Sequence, residues 1–156
     1  VKATDFYEAV DRAFTCLTAD EIAECLAAGY LNYFSRVLAL RVEGDVLRVA
    51  GFHGIVPFRA QATKGISPSL ALCMAQDKGG LVNVADNALG RDIAQTFGFA
   101  EAKTGLLALL SGQGTIQVMV YADTYPEESL PEDMNEVEFL QKETQTALAL
   151  LVEFWE

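Results

Sequence analysis

Leu106 to Asp123 reads LLALLSGQGTIQVMVYAD, two apolar runs joined by a Ser-Gly-Gln-Gly link. Runs rich in Leu, Ile and Val on either side of so short a link predict an antiparallel hairpin, because Gly112 and Gly114 reach the positive φ values a tight connection requires. Alternation along the strands gives the hairpin two faces. A slip of one residue would exchange these faces, so the glycine turn sets register as well as direction. Asp123 reads as the start of an acidic exit loop and not as a catalytic acid.

Upstream, Leu81 to Val84 predicts a short strand ending in Ala85-Asp86-Asn87, and Arg91 to Phe97 a short helix closed by Gly98. Ser67 and Pro68 open another short helix carrying Leu70, Leu72, Cys73 and Met74, which Gly79-Gly80 closes. Between His53 and Pro68 the periodicity dissolves into a loop, yet Ile55, Val56, Phe58 and Ile66 make it too apolar for an idle linker. Strands over Val37 to Val42 and Val46 to Phe52 flank a Glu43-Gly-Asp45 turn. Arg41 and Arg48 among their apolar neighbours imply an exposed face there.

At the start of the chain, Asp5 and Thr18 each stand three residues before a Glu. These capping signals predict a first helix to about Leu17 and a second to about Tyr33, with Ser35 and Arg36 marking the break. Beyond the hairpin, an acidic loop over 126–133 leads into a long helix from Met134 to Trp155. Val137, Leu140, Thr144, Ala147, Leu151 and Phe154, with Leu148 and Trp155 beside them, form a stripe wide enough for the sheet and for a further helix or subunit.

Composition bounds what such a chain can do. Its 156 residues, 51% hydrophobic and 21% charged, suit one globular domain with a substantial core. With 22 acidic against 11 basic residues the net charge of −11 repels phosphate backbones and anionic surfaces, which argues against nucleic acid and membrane as partners. Cys16, Cys25 and Cys73 are odd in number and lack CxxC spacing, the usage of a reducing cytoplasm. Beginning at Val1 and stopping within a helical pattern, residues 1–156 read as a single domain cut from a larger protein.

In this order of parts the chain resembles the GAF family of sensory domains over nearly its whole length. Four stretches carry the likeness: the strand-turn-strand of Val37 to Phe52, Ser67 to Ala75 followed by GGLVNVAD, the central hairpin ending in Asp, and the terminal amphipathic helix. No invariant catalytic signature is among them. The resemblance implies an α/β fold of the α+β type, a central antiparallel sheet of about five or six strands. The N- and C-terminal helices would share one face, and residues 53 to 99 would cover a pocket on the other. A PAS-like domain is the alternative, although that family usually lacks a long helix at both ends.

The expected function is a non-enzymatic small-molecule-sensing module of a bacterial-type signalling protein. It would be cytoplasmic and homodimeric, joined to neighbouring signalling domains, with its ligand unidentified and no cofactor required. Two alternatives stand beside it: a structural dimerisation module with a filled pocket, and a Cys-dependent free methionine sulfoxide reductase.

Candidate residues follow from this arrangement. Phe52, Phe58, Leu72, Phe97 and Phe99 could wall a ligand cavity or complete a solid core. Ser69 lies on the same short helix as Leu72. His53 could meet a ligand or a haem iron, but with no Cys or carboxylate at ligand spacing it reads as a turn histidine. Cys73 would line the pocket, whereas reductases of the family use several pocket cysteines, so it reads as a buried structural thiol. Asn83 and Asp86 are placed to end a strand and cap a helix. Arg91 could hold a carboxylate or phosphate, or stand exposed in a helix first turn. For the helix or dimer interface the candidates are Phe6, Val10 and Phe14 with Val137, Leu140, Ala147, Leu148, Leu151, Phe154 and Trp155.

Overall fold

The central hairpin forms as β5 (Leu106–Gly112) and β6 (Thr115–Asp123) in a computed structural model that describes residues 2–62, 67–86 and 88–155, without the side chains of Asp86, Phe154 and Trp155. Its turn corrects the reading of the glycines. Gln113 (φ 56) and Gly114 (φ 78) are the two positive-φ residues, the signature of a type I′ turn, and Gly112 is not one of them. Gly112 serves close approach instead, since a Cβ there would stand 2.9 Å from both Gln117 and Val152. Gln117 is the extra residue of a bulge that shifts register between Leu110 and Ser111.

The remaining strands are β1 (Arg36–Glu43), β2 (Val46–His53), β3 (Gln61–Ala62) and β4 (Gly80–Asn83). Together they make a six-stranded sheet of order β3-β2-β1-β6-β5-β4, with every described pairing antiparallel. The two-residue β3 lies inside the stretch expected to be loop, too short to carry an alternation signal. Of that stretch, Ile55 is buried while Val56 and Phe58 are exposed, and Ile66 lies outside the described residues.

Helices α1 (Phe6–Ala13) and α2 (Ala19–Tyr30) precede the sheet, and α5 (Met134–Trp155) follows it. All three cover one face, where Val37, Ala39, Leu106, Ala108, Leu110, Val118, Val120 and Ala122 meet Ile22, Leu26, Tyr30, Val137, Leu140 and Leu148. Asp5 and Thr18 cap α1 and α2 through the amides of Glu8 and Glu21. Both helices end earlier than the periodicity implies. The Arg12 carbonyl accepts from the Thr15 amide and hydroxyl, turning the chain out of α1. Asn32 bonds the carbonyls of Thr4 and Gly29, which closes α2.

On the other face, α3 (Pro68–Met74) and α4 (Leu89–Phe97) form a smaller cover. Ser67 caps α3 through the Leu70 amide, and its hydroxyl donates to Asp92 of α4 at 2.7 Å, which joins the two helices. Beneath them Leu70, Cys73, Leu89, Ile93 and Phe97 pack on Leu38, Leu40, Leu107, Leu109, Met119 and Tyr121. Gly98, at φ 80, closes α4 in the left-handed conformation. The residue at the start of α4 is Ala88, which forms no side-chain capping bond, and the capping role expected of Asp86 lies outside the described side chains. Asn83 instead accepts from the Ala85 amide, within the single 3-10 turn Val84–Asp86.

The face expected to be exposed around Arg41 and Arg48 is half-buried. These residues are direct cross-strand partners, an arrangement that like charges disfavour, and Asp20 at the start of α2 accepts from both guanidiniums. Desolvation works against the Asp20 charge, but the bonds and fields of Arg48 and Arg41 outweigh it and hold its pKa below the ordinary carboxylate value.

Candidate functional site

The α3–α4 side of the sheet brings together part of the expected pocket set. Cys73 and Phe97 are both buried in the cluster under the cover, and Phe99 packs at its edge against Tyr121, ring centroids 5.5 Å apart. Phe58 lies over the end of α4. Its amide donates to the Phe97 carbonyl, and its ring so crowds Gly98 that a Cβ there would stand 2.5 Å from a ring carbon. Phe58 is nevertheless 67% exposed, and Arg59 stacks on its outer side with the guanidinium 4.6 Å from the ring centroid.

Other members of the set lie apart. Ser69 is half-buried on α3, and Leu72 on the same helix is 71% exposed. Arg91 is exposed on α4, its guanidinium 3.9 Å from the Asp92 carboxylate. Phe52 stands at the sheet margin beside a cleft of about 380 Å³ that Lys2, Arg12 and Glu24 also line. His53 pairs in register with Val37, whose side chain belongs to the helix-covered face, so the exposed His53 shares that face and not the α3–α4 side. The side chain of Asp86 lies outside the described residues.

The terminal-helix set divides in the same way. Val137, Leu140, Ala147, Leu148 and Leu151 are buried within the chain's own core, leaving no surface to offer a second subunit. Phe6 and Val10 pack against that core, Phe6 with its ring centroid 5.7 Å from that of Phe139. Phe14, Phe139 and Leu150 remain exposed. The side chains of Phe154 and Trp155 are outside the description.

At one end of the sheet, on the α3–α4 side, stands a charged cluster that the sequence reading missed. Arg36 does not merely mark a break: it opens β1 and pairs across the sheet with Asp123, the last residue of β6. Asp123 is not the start of a loop but a fully buried carboxylate. Arg36 donates from Nε to Asp123 Oδ1 at 2.9 Å and from Nη2 to Oδ2 at 2.7 Å, a bidentate pair. The Tyr125 amide donates to Oδ1 and the Tyr121 hydroxyl to Oδ2, so each oxygen accepts two bonds.

The guanidinium reaches further than its partner. It donates to the Ala100 carbonyl at 2.8 Å and lies between two rings, 4.2 Å from the Tyr125 centroid and 5.1 Å from that of Phe99. Desolvation opposes the Arg36 charge, but the hydrogen-bonded Asp123 more than compensates and raises its pKa. Burial, reinforced by the Asp123 charge, pushes the Tyr121 hydroxyl up as well, so it stays a donor. One side chain thereby ties the segment after α4 to the end of β6, where the chain leaves for α5. The signal was a cross-strand partnership, invisible until register is known.

Among the described residues no group of three or more His, Cys, Asp or Glu side chains is arranged to hold a metal ion. None of the described helices is long and apolar enough to cross a membrane. The cysteines divide between the faces, with Cys73 under the α3–α4 cover and Cys25 among the helices of the opposite face, where Cys16 packs against the same core.

A scan against protein-family models matched none, and a search of curated proteins found no relative. Solved structures do share the architecture. A methyl-accepting chemotaxis protein segment, residues 122 to 287, aligns over 94% of this chain and 96% of its own at 12% identity, with a TM-score of 0.66. The phycocyanobilin-bound GAF domain of a cyanobacterial phytochrome aligns over 99% and 100% at 13% identity, TM-score 0.63. Free methionine-R-sulfoxide reductase from Neisseria meningitidis, in complex with its substrate, aligns over 95% and 87% at 16% identity, TM-score 0.62. At such identities the likeness is one of fold. The chain has the GAF-like fold, a six-stranded antiparallel sheet between two unequal helical layers.

Proposed function

We propose that this chain is a non-enzymatic sensory domain of a larger signalling protein, responding to a small molecule held between the sheet and the α3–α4 cover. The observation that carries the proposal is the asymmetry of the two layers. The long α5 shares one helical layer with α1 and α2, while the cover on the other face is built from short separate helices. The same architecture occurs in a chemotaxis protein segment and a phytochrome domain, which supports the sensory reading.

A ligand acts in such a domain only through different affinities for two arrangements of the cover. Arg36 gives those arrangements a route outward. Displacing Phe99 and Ala100 alters its partners, and through Asp123 and Tyr125 it reaches the connection to α5. Phe58, Cys73, Phe97 and Phe99 are the candidate contacts. A homodimer would use what α1 and α5 leave exposed: Phe14, Phe139 and Leu150. The proposed setting is the cytoplasm.

A structural module with a filled pocket is the second reading, favoured by the continuous apolar packing under the cover. The fold shared with a methionine sulfoxide reductase brings a third, disfavoured because Cys73 is the one cysteine of three on that side. Native mass spectrometry of untreated protein, followed by melting against a metabolite library, separates them. The sensory reading expects a retained molecule or a ligand that raises the melting temperature. No retained mass and no shift across the library would favour the structural module, and turnover of free methionine sulfoxide abolished by Cys73→Ser would favour the enzyme.

A further inference from the structure

The α1–α2 corner holds a second chemical feature, on the face away from the proposed ligand. Cys25, buried on α2, donates its thiol to the Ala9 carbonyl, and Cys16, half-buried in the turn after α1, donates to the Arg12 carbonyl, each at 3.3 Å. Ala9 and Arg12 are one turn apart on α1, so the two sulfurs bond neighbouring carbonyls on the same side of that helix. We propose that Cys16 and Cys25 form a redox dithiol that closes to a disulfide by exchange with a low-molecular-weight disulfide.

Unequal exposure sets the order of events. Cys16 is the accessible sulfur. Its thiolate attacks one sulfur of the incoming disulfide, forming a mixed disulfide and expelling one thiolate. Cys25 then attacks the Cys16 sulfur and expels the second. Two protein thiols lose their protons and two electrons, the small disulfide gains them, and two small thiols leave. In the reduced pair a hydrogen bond from Cys16 lowers the Cys25 pKa against the opposing effect of burial and raises that of Cys16; in the mixed disulfide Cys16 has no proton left to donate, and the Arg12 charge is what favours the Cys25 thiolate. Cys73 has no cysteine partner among its described contacts, and burial raises its pKa. It serves as the internal control.

Closure would fasten the 14–18 turn to α2 within the layer that α1, α2 and α5 form. The reaction requires no occupant of the α3–α4 side, so its success or failure is independent of the sensory reading.

The test equilibrates the intact chain in glutathione buffers of increasing oxidised fraction, alkylates free thiols and digests with trypsin. No Lys or Arg lies between Arg12 and Arg36, so residues 13–36 emerge as one peptide containing both cysteines. The expected result is a 13–36 peptide two hydrogens lighter, unalkylated, and restored by dithiothreitol. In Cys25→Ser, glutathione should remain trapped on Cys16; in Cys16→Ser, Cys25 should stay unmodified while the protein is folded. Stable glutathione on Cys16 of the unsubstituted chain, disulfides between chains, or two alkylated cysteines under fully oxidising buffer would each overturn the proposal.

Discussion

Asp123 shows how much a single side chain's partners decide. Its two oxygens accept four hydrogen bonds, from Arg36 twice, Tyr121 and Tyr125, with no exposure to water. Removing one member of a buried pair strands the other, at a cost of about 3–5 kcal/mol, whereas replacing both with apolar groups costs far less. Asp123→Asn and Arg36→Met should each lower stability by about 3–5 kcal/mol in urea denaturation, and Arg36→Met with Asp123→Leu should recover most of the loss. Additive losses in the double variant would show that the two groups do not act as a pair. The aromatic candidates divide as sharply. Phe97→Ala, in a packed core, should cost about 3–5 kcal/mol, and Phe58→Ser, at the surface, about 0.5 kcal/mol or less. Such a loss at Phe97 would identify it as core that can touch a ligand only at its edge.

Helices and strands were readable where a local signal existed. Asp5 and Thr18 capped the helices expected of them, Ser67 and Pro68 opened α3, and Gly98 closed α4. Features that depend on partners distant in sequence were not readable. The type I′ turn used Gln113 in place of Gly112, whose smallness answers to α5. Arg41 and Arg48 looked exposed because Asp20, their shared counter-charge, is far away in the chain. That junction also makes a pH prediction. Asp20 has a lowered folded-state pKa, so its contribution is present above its ordinary value of 3.8 and fades as pH falls through the folded value below it. Asp20→Asn should therefore lower stability at pH 7 by about 1 kcal/mol after solvent screening, with the gap to the unsubstituted chain closing as pH falls below the ordinary value of 3.8. Urea midpoints at both pH values read this out, and an unchanged gap at low pH would assign the effect to something other than charge.

Across the molecule, the two-layered plan followed from the order of elements, and the resemblance to GAF domains anticipated it. The division of labour among side chains did not follow, because burial depends on register. His53 fell on the helix-covered side through its pairing with Val37, and most of the α5 stripe went into the chain's own core. Truncation after Glu143 removes Ala147, Leu148, Leu151 and Val152 from that core, so it should unfold the chain rather than yield folded monomers, as circular dichroism will show. The central claim is that the cover moves as a unit over a firm sheet. Cooperative opening of α3 and α4 would release Leu70, Cys73, Ile93 and Phe97 while β1, β5 and β6 stay closed under α2 and α5. Native-state amide hydrogen exchange at low denaturant tests this directly. The account predicts that amides of α3 and α4 exchange together, at a lower opening free energy than those of β6. Exchange of α3 and α4 only through the same global unfolding that exposes β6 would contradict it.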